Sequence, residues 1–258
     1  MWSTIEAYRL ISSDLTAALD RKAQEPDIER EIAYYREKIA DIDTIDDFME
    51  NDRIYQFAMR AYGLEEMIYA KGFIRKLLEE GVNDSSSLAN QLVDSRYKEF
   101  AEVFDFEGLG TTATIFDRAQ EGTVDLYVRQ RLETDAGADN EGVRLALYFQ
   151  RQAPEITTGY GLMADPALLK VAQTLANLPE SSSSVDVDRQ AEILEERINI
   201  EDFQDPVKLE ELMQRFTVLW EMNNGSTSST STPNVLIAGS AFGISESLLS
   251  QIQNIRKG

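Results

Sequence analysis

The sequence predicts an all-α protein, a multi-helix bundle. Apolar residues recur at spacings of three and four along most of the chain, which is the period of an amphipathic helix. No segment shows the sustained apolar–polar alternation, bounded by hairpin turns, that a β-strand needs. Short breaks containing Gly, Pro, Ser or Asn separate the helical stretches. At 258 residues, the chain can bury a large core in one domain or two.

The helix that organises the chain is predicted within residues 46–64. It is apolar over most of its circumference, which is typical of a helix buried in the middle of a protein. Asn51 or Asp52 would cap its first turn, and Gly63 would end it, because a residue without a Cβ takes the left-handed conformation at little cost. The apolar face consists of Ile54, Phe57, Ala58 and Ala61, beside a narrow polar stripe of Arg53, Gln56 and Arg60.

The other helices are predicted before and after this central one. A Gly- and Thr-rich segment, residues 107–114, marks a boundary between two halves, and residues 135–140 are predicted as a loop. Gly122 is a weak point within its helix, and the serine-rich residues 179–184 form a flexible connection. The predicted helices are residues 4–22, 28–40, 65–80, a short helix with Leu88 and Leu92, 96–104, 115–134, 141–152, 166–178, 185–200 and 207–222.

The two halves share a pattern at a fixed offset of 114 residues. Residues 32–64 align without a gap with residues 146–178, so that Tyr34 meets Tyr148 and Phe57 meets Val171. Self-similarity at a fixed offset is a signature of repeated structural units. The sequence therefore predicts an internal duplication, with an N-terminal helical half over residues 1–107 and a C-terminal half over residues 115–222.

A polar tether and a short amphipathic tail follow the second half. Residues 223–233 are too polar to bury a core, and residues 234–258 end in a predicted helix. A helix this short is marginal alone and needs a surface for its apolar stripe, either on the rest of its own chain or in a groove of another subunit. The candidate partner-binding residues are Ile244, Leu248, Ile252 and Ile255.

Composition excludes several classes of function. The formal net charge of −21 argues against nucleic acid and anionic membranes, whose phosphates attract Lys and Arg. The chain has no Cys and no His, which excludes Ser-His-Asp and Cys-His catalysis and His-ligated zinc. No apolar run is long enough to span a membrane, and the N-terminus has no classical secretion signal. We expect no catalytic, cofactor-binding or metal-binding residues.

Two groups of polar residues leave a different function open. Asp41, Asp43, Asp46 and Asp47 are dense enough to hold a divalent cation, although their spacing does not fit a calcium-binding hand. The second group is similar to the magnesium motif of terpene cyclases, but a Gln replaces its Glu, and the two motifs stand in the wrong order. Helix capping explains both groups more simply. The residues of the second group are Asn83, Asp84, Ser87 and Gln91.

The stretch DDFMENDRIYQFAMRAYGLEEMIYAKGFIRKLLEEG, residues 46–81, followed by SLANQLVDSRYKEFAEVF, residues 87–104, resembles the bacterial domain of unknown function 1217 family. The segments YRLISSDL, YYREKI and GISESLLSQIQNIR are also similar to family features. Members of this family often lie in alphaproteobacterial flagellar gene clusters. The resemblance implies an all-helical, flagellum-linked protein, and it supplies no activity, cofactor or catalytic residue.

We therefore expect a non-enzymatic structural or assembly protein, associated with the flagellum. Its partner would be another protein or a second copy of itself, with flagellar components as candidates. It would be cytoplasmic or flagellum-associated. The alternative is an all-α enzyme or small-molecule binder that uses carboxylates and a divalent cation.

Overall fold

The computed structural model of the chain describes residues 2–179 and 186–224. This part of the chain is built from helices and contains no β-strand, so the predicted all-α class is confirmed. None of its helices is long and apolar enough to cross a membrane. The α-helices are α1 Thr4–Ser12, α2 Leu15–Ala23, α3 Pro26–Lys38, α4 Ile45–Glu50, α5 Asp52–Ala61, α6 Lys71–Glu80, α7 Leu88–Gln91, α8 Ser95–Val103, α9 Phe106–Leu109, α10 Glu121–Asp139, α11 Glu141–Gln152, α12 Gly159–Met163, α13 Pro166–Leu175, α14 Val187–Arg197 and α15 Pro206–Asn224.

Helix α5 is the predicted central helix, and both of its predicted ends are confirmed. The Asn51 side chain accepts a hydrogen bond from the Ile54 N–H at 3.2 Å, which satisfies a free donor of the first turn. At the other end, Gly63 has a φ of +66°, and the Leu64 N–H donates to the Met59 carbonyl at 2.8 Å. This left-handed glycine and backward hydrogen bond form a Schellman cap.

The first hydrophobic core surrounds α5. The Phe57 ring is stacked between the rings of Tyr35 and Tyr127, with centroid distances of 4.2 and 3.9 Å. In the same core, Phe48 on α4 contacts the rings of Phe100 on α8 and of Phe104, which follows the last residue of α8. The predicted apolar face is fully buried, while the three residues of the predicted polar stripe remain partly or largely exposed. These contacts make α5 the helix around which the first half is packed.

A second core surrounds α11 and α13 and takes in the N-terminal helix. Val171 and Phe149 are fully buried there, and Phe149 makes an edge-on contact with Phe203. Helix α1 packs against α11 and α15, and its Tyr8 belongs to this core rather than to the first. The Thr4 N–H donates to the Glu221 carboxylate at 2.8 Å. The N-terminal helix is thereby fixed to the last helix of the described chain.

Helix α10 joins the two cores. Its first turns carry Val124 and Tyr127, which are buried in the first core against α5. Its later turns pack along α11 in the second half. Because one continuous helix contributes to both cores, the two halves form one packed body.

The structure corrects the predictions for three segments. The predicted helix over residues 4–22 is interrupted, because the Asp14 side chain caps a new helix by accepting from the Ala17 N–H at 3.1 Å. The predicted helix over residues 115–134 begins only at Glu121, and the predicted loop over residues 135–140 is wrong, since α10 continues to Asp139. Asn140 separates α10 from α11 by capping the latter.

Within residues 26–64 and 140–178, the helical elements follow the same order at the predicted offset. The 3₁₀ turns Ile39–Asp41 and Ala153–Glu155 and the helices α5 and α13 correspond residue by residue. Thr44 and Thr158 both cap the short helix that follows the turn. Gly63 and Asn177 both have positive φ, at +66° and +52°. Local geometry therefore recurs at matching positions in residues 26–64 and 140–178.

Candidate functional site

A cleft of about 380 Å³ lies between the two cores. Helix α10 supplies part of its lining, the first half contributes the end of α5 and the start of α8, and the second half contributes α11 and α13. Clefts where structural units meet are common ligand sites, so this cleft is the candidate functional site. The polar residues that line it are Glu66, Arg96, Gln130, Glu133, Thr134, Glu141, Arg144, Tyr148, Asp165 and Lys170.

A buried ionic network lies at the cleft. The Glu133 side chain is only 1% exposed, and its Oε1 accepts from Arg129 Nε at 2.8 Å and from Arg151 Nε at 2.9 Å. Arg129 also donates to the Leu147 carbonyl at 2.9 Å, which ties α10 to α11. Burial acts to lower the pKa of Arg151, but Glu133, with smaller contributions from Tyr148 and Glu99, raises that pKa above its usual value. The network therefore links α10 to α11 through charged hydrogen bonds, and each of its three side chains has a partner.

Tyr148 lies beside this network, with the Arg151 guanidinium 5.1 Å from the centre of its ring, and it reaches the start of α13. Its hydroxyl donates to Asp165 Oδ2 at 2.6 Å, while Asp165 Oδ1 accepts from the Ala167 N–H at 2.6 Å. Burial, and then the charge of Asp165, raise the pKa of Tyr148 well above its usual value. Tyr148 is thus a neutral hydrogen-bond donor over the physiological range. The Asp165 carboxylate is occupied as a helix cap.

The rim of the cleft is made of paired charges. Arg96 donates to Asp94 at 2.7 Å and to the Gly63 carbonyl at 2.5 Å, and it lies 3.5 Å from Glu66. Arg144 is paired with Glu141 at 2.5 Å. Each of the four carboxylates that line the cleft is therefore bound by an arginine or by backbone N–H groups. These rim pairs each lie within one half, since the partners of Arg96 all belong to the first half and Arg144 and Glu141 both lie on α11.

The acidic loop that was considered for a divalent cation is engaged locally. Asp47 accepts from the Thr44 hydroxyl at 2.7 Å and from its N–H, completing a capping box for α4. Asp46 is paired with Arg75 at 2.6 Å, and Asp41 lies 3.8 Å from Lys38. Across residues 2–179 and 186–224, no group of three or more His, Cys, Asp or Glu side chains is arranged to hold a metal ion.

The residues of the magnesium-like motif do not converge either. Asn83 donates to Glu107 at 2.7 Å, and Asp84 accepts from the Ser86 N–H at 2.8 Å in a local turn. Ser87 is buried and Gln91 is exposed. Asp84 forms a local turn, but the predicted helix cap is wrong. The Ser87 side chain makes no cap hydrogen bond to α7, and the Leu88 N–H donates to the Glu80 carboxylate at 2.7 Å instead.

The predicted partner-binding residues Ile244, Leu248, Ile252 and Ile255 lie outside the described residues, and their role stays a prediction. The structure adds the network of Arg129, Glu133 and Arg151, which the sequence did not single out. The only signal was the i,i+4 spacing of Arg129 and Glu133. That spacing is equally common on exposed helix surfaces.

Comparisons with known proteins agree with the resemblance seen in the sequence. A family model described as "Protein of unknown function (DUF1217)" matches residues 61–209. The X-ray crystal structure of protein AGR_C_984 from Agrobacterium tumefaciens shares 51% sequence identity, with a TM-score of 0.80. The match covers 86% of this chain and 94% of the Agrobacterium chain. A comparison with curated proteins finds no match.

Proposed function

The chain belongs to the DUF1217 family of proteins of unknown function, and we propose that it is a non-enzymatic structural or assembly protein that acts by binding other proteins. The observation that supports this proposal is the pairing of the carboxylates in the cleft. The cleft carboxylates at Glu66, Glu133, Glu141 and Asp165 are engaged by arginines or backbone donors of the same chain. A site that must bind and turn over a substrate needs groups that are free to change partners.

The flagellum is the cellular setting that the family resemblance favours. The relative with a solved structure comes from Agrobacterium tumefaciens, and its printed description names no function. We place the protein in the cytoplasm or at the flagellum, with flagellar components as its candidate partners. This placement rests on the resemblance of residues 46–81 and 87–104 to the family.

The C-terminal tail is the proposed binding element. Residues 225–258 carry one glutamate, one arginine and one lysine, whereas the whole chain has a net charge of −21. The strong negative charge therefore belongs to the helical body, which stays soluble and repels like-charged neighbours. The apolar stripe of Ile244, Leu248, Ile252 and Ile255 supplies the contact with a partner.

Affinity capture from a native flagellated cell tests this function. The full chain should retain flagellar components, and Leu248→Asp should lose them, because a charge in the stripe cannot be buried without a partner. Ser245→Asp, which lies off the stripe, is the matched control. A capture without flagellar components, or one that Leu248→Asp leaves unchanged, would contradict the proposal.

A thermal-shift series separates this function from a carboxylate–metal enzyme or binder. A divalent cation that binds only the native protein must raise its melting temperature. We expect micromolar Mg²⁺ or Ca²⁺ to leave the melting temperature unchanged. A rise of several degrees would favour the metal-dependent alternative.

We also propose that the two halves arose by duplication of one helical unit. The paired caps support this, and so does a shared contact: the hydroxyls of Tyr34 and Tyr148 each reach the residue that caps the next long helix, Asn51 at 3.4 Å and Asp165 at 2.6 Å. Superposition of residues 26–64 on residues 140–178 is the test. Phe57 and Val171 should then occupy equivalent inward positions. If the residues around them did not correspond, the proposed duplication would be contradicted.

A further inference from the structure

An open groove of about 660 Å³ runs between α2, α3 and α10 on the first half. Its floor is apolar, with Ile32, Val124 and Val128 buried beneath it. Two small residues, Ala23 and Ala33, line it and leave room that larger side chains would fill. The result is an apolar channel bordered by three helices.

Ion pairs fix the walls of this groove. Lys22 on α2 is paired with Asp135 on α10 at 2.9 Å. Arg36 on α3 donates to Glu121 on α10 at 2.8 Å. The three helices are thus tied together at both flanks, so the groove is part of the folded body rather than a gap between loose elements.

The rim of the groove carries three carboxylates and one guanidinium, that of Arg36, and is therefore acidic overall. Asp20, Glu29 and Asp125 line it, and all three are exposed. None of them forms a salt bridge with another residue in the described part of the chain. This contrasts with the cleft between the cores, where the carboxylates are engaged. An apolar floor with an unpaired acidic rim fits an amphipathic helix that has basic residues beside its apolar stripe.

We propose that this groove receives the C-terminal segment of a second copy of the chain, residues 244–257. This deepens the proposed function, on which it rests, by naming both the partner and the receiving surface. The segment carries four branched apolar residues at spacings of four, four and three, which is the pattern that a helix-binding groove accepts. Arg256 and Lys257 follow the stripe, and their positive charges are complementary to the negative charges of Asp20, Glu29 and Asp125.

Two measurements on the full chain test this. Sedimentation over a range of concentrations should show reversible self-association. A fluorescent peptide of residues 243–258 should bind the chain, and an excess of this peptide should reduce self-association. Ala33→Glu should weaken both by about tenfold or more, because the new charge would lie against an apolar segment. Ala40→Glu, on the exposed 3₁₀ turn after α3, is the matched control and should change neither.

A second variant guards against a folding defect in the first. Asp125→Lys reverses a rim charge, and it should weaken the peptide mainly at low salt, since exposed charges are screened at high salt. A chain that stays monomeric, a peptide that does not bind, or equal binding by the Ala33 and Ala40 variants would overturn the proposal. Circular dichroism melts confirm that each variant is folded.

The two proposals fail in different ways. A monomeric chain that still captures flagellar components through Leu248 would remove the groove as the receiving surface and leave the proposed function standing. Self-association that depends on Ala33 and Leu248, without captured flagellar components, would support the groove and remove the flagellar assignment.

Discussion

Phe57 shows how one side chain can hold a half together. Its ring lies between Tyr35 and Tyr127 in the first core, so Phe57→Ala should lower the free energy of unfolding by about 3–5 kcal/mol. Arg53→Ala on the same helix should cost less than about 1 kcal/mol, because Arg53 is exposed and its contacts with Glu31, the Arg30 carbonyl and the Tyr34 ring lie at the surface. Urea unfolding measures both, and equal costs would show that the burial of α5 is wrongly assigned.

Glu133 carries the charge on which the link between α10 and α11 depends. Glu133→Gln removes the buried negative charge that Arg129 and Arg151 share, which should cost about 3–5 kcal/mol of unfolding free energy. Glu141→Gln is the matched control, because its pair with Arg144 is exposed and should be worth less than about 1 kcal/mol. If urea melts gave the two variants the same stability, the network would not be a structural link between α10 and α11.

The sequence predicted some of these residues but not others, for a physical reason. Asn51 and Gly63 were predicted because capping is a local property of a few neighbouring residues. Glu133 was not, because its i,i+4 pair with Arg129 has the same spacing as the exposed pair of Lys98 and Glu102. Burial of one pair and exposure of the other depend on distant parts of the chain.

At the scale of helices, the two C-terminal caps of α5 and α13 offer a direct comparison. Gly63 and Asn177 occupy corresponding left-handed positions. Gly63→Ala should lower the unfolding free energy by about 1–2 kcal/mol, because a Cβ is disfavoured at positive φ. Gly63→Asn should cost less, since Asn tolerates this conformation and already serves at residue 177. A Cβ at residue 63 would make only ordinary contacts, so the backbone decides the result. Equal losses in urea melts would contradict this account.

The end of α10 is a place where the helix prediction was wrong. Residues 135–140 contain Asp, Gly and Asn, which locally favour a loop. In the structure they extend α10, because Ala136 packs on the second core and Asp135 is paired with Lys22. Tertiary contacts overrode a weak local preference there. The strongly apolar α5 and α13 had no such conflict, and their type and position were predicted.

For the whole molecule, buried tyrosines predict a loss of stability at high pH. Burial raises the pKa of Tyr55 and of Tyr62 to about 12, above the usual value near 10. The folded state therefore favours the neutral phenol. The stabilisation is complete below pH about 10 and is lost as the pH rises towards 12. The urea midpoint should fall over this range, and Tyr62→Phe should make the fall less steep. A midpoint independent of pH would show that these hydroxyls are hydrated.

The proposed division between a self-sufficient helical body and a C-terminal binding segment gives the last prediction. The two cores are formed by side chains from Tyr8 to Trp220, and α15 ends at Asn224. A chain truncated after Asn224 should therefore keep its melting temperature within a few degrees, because it retains both cores and the buried ionic network. It should lose self-association and captured proteins, because it lacks the apolar stripe. The full-length chain with both Ile244 and Leu248 changed to Asp is the control, and it should behave in the same way. If truncation instead collapsed stability and left association unchanged, the tail would be part of the core, and binding would have to be sought on the helical body.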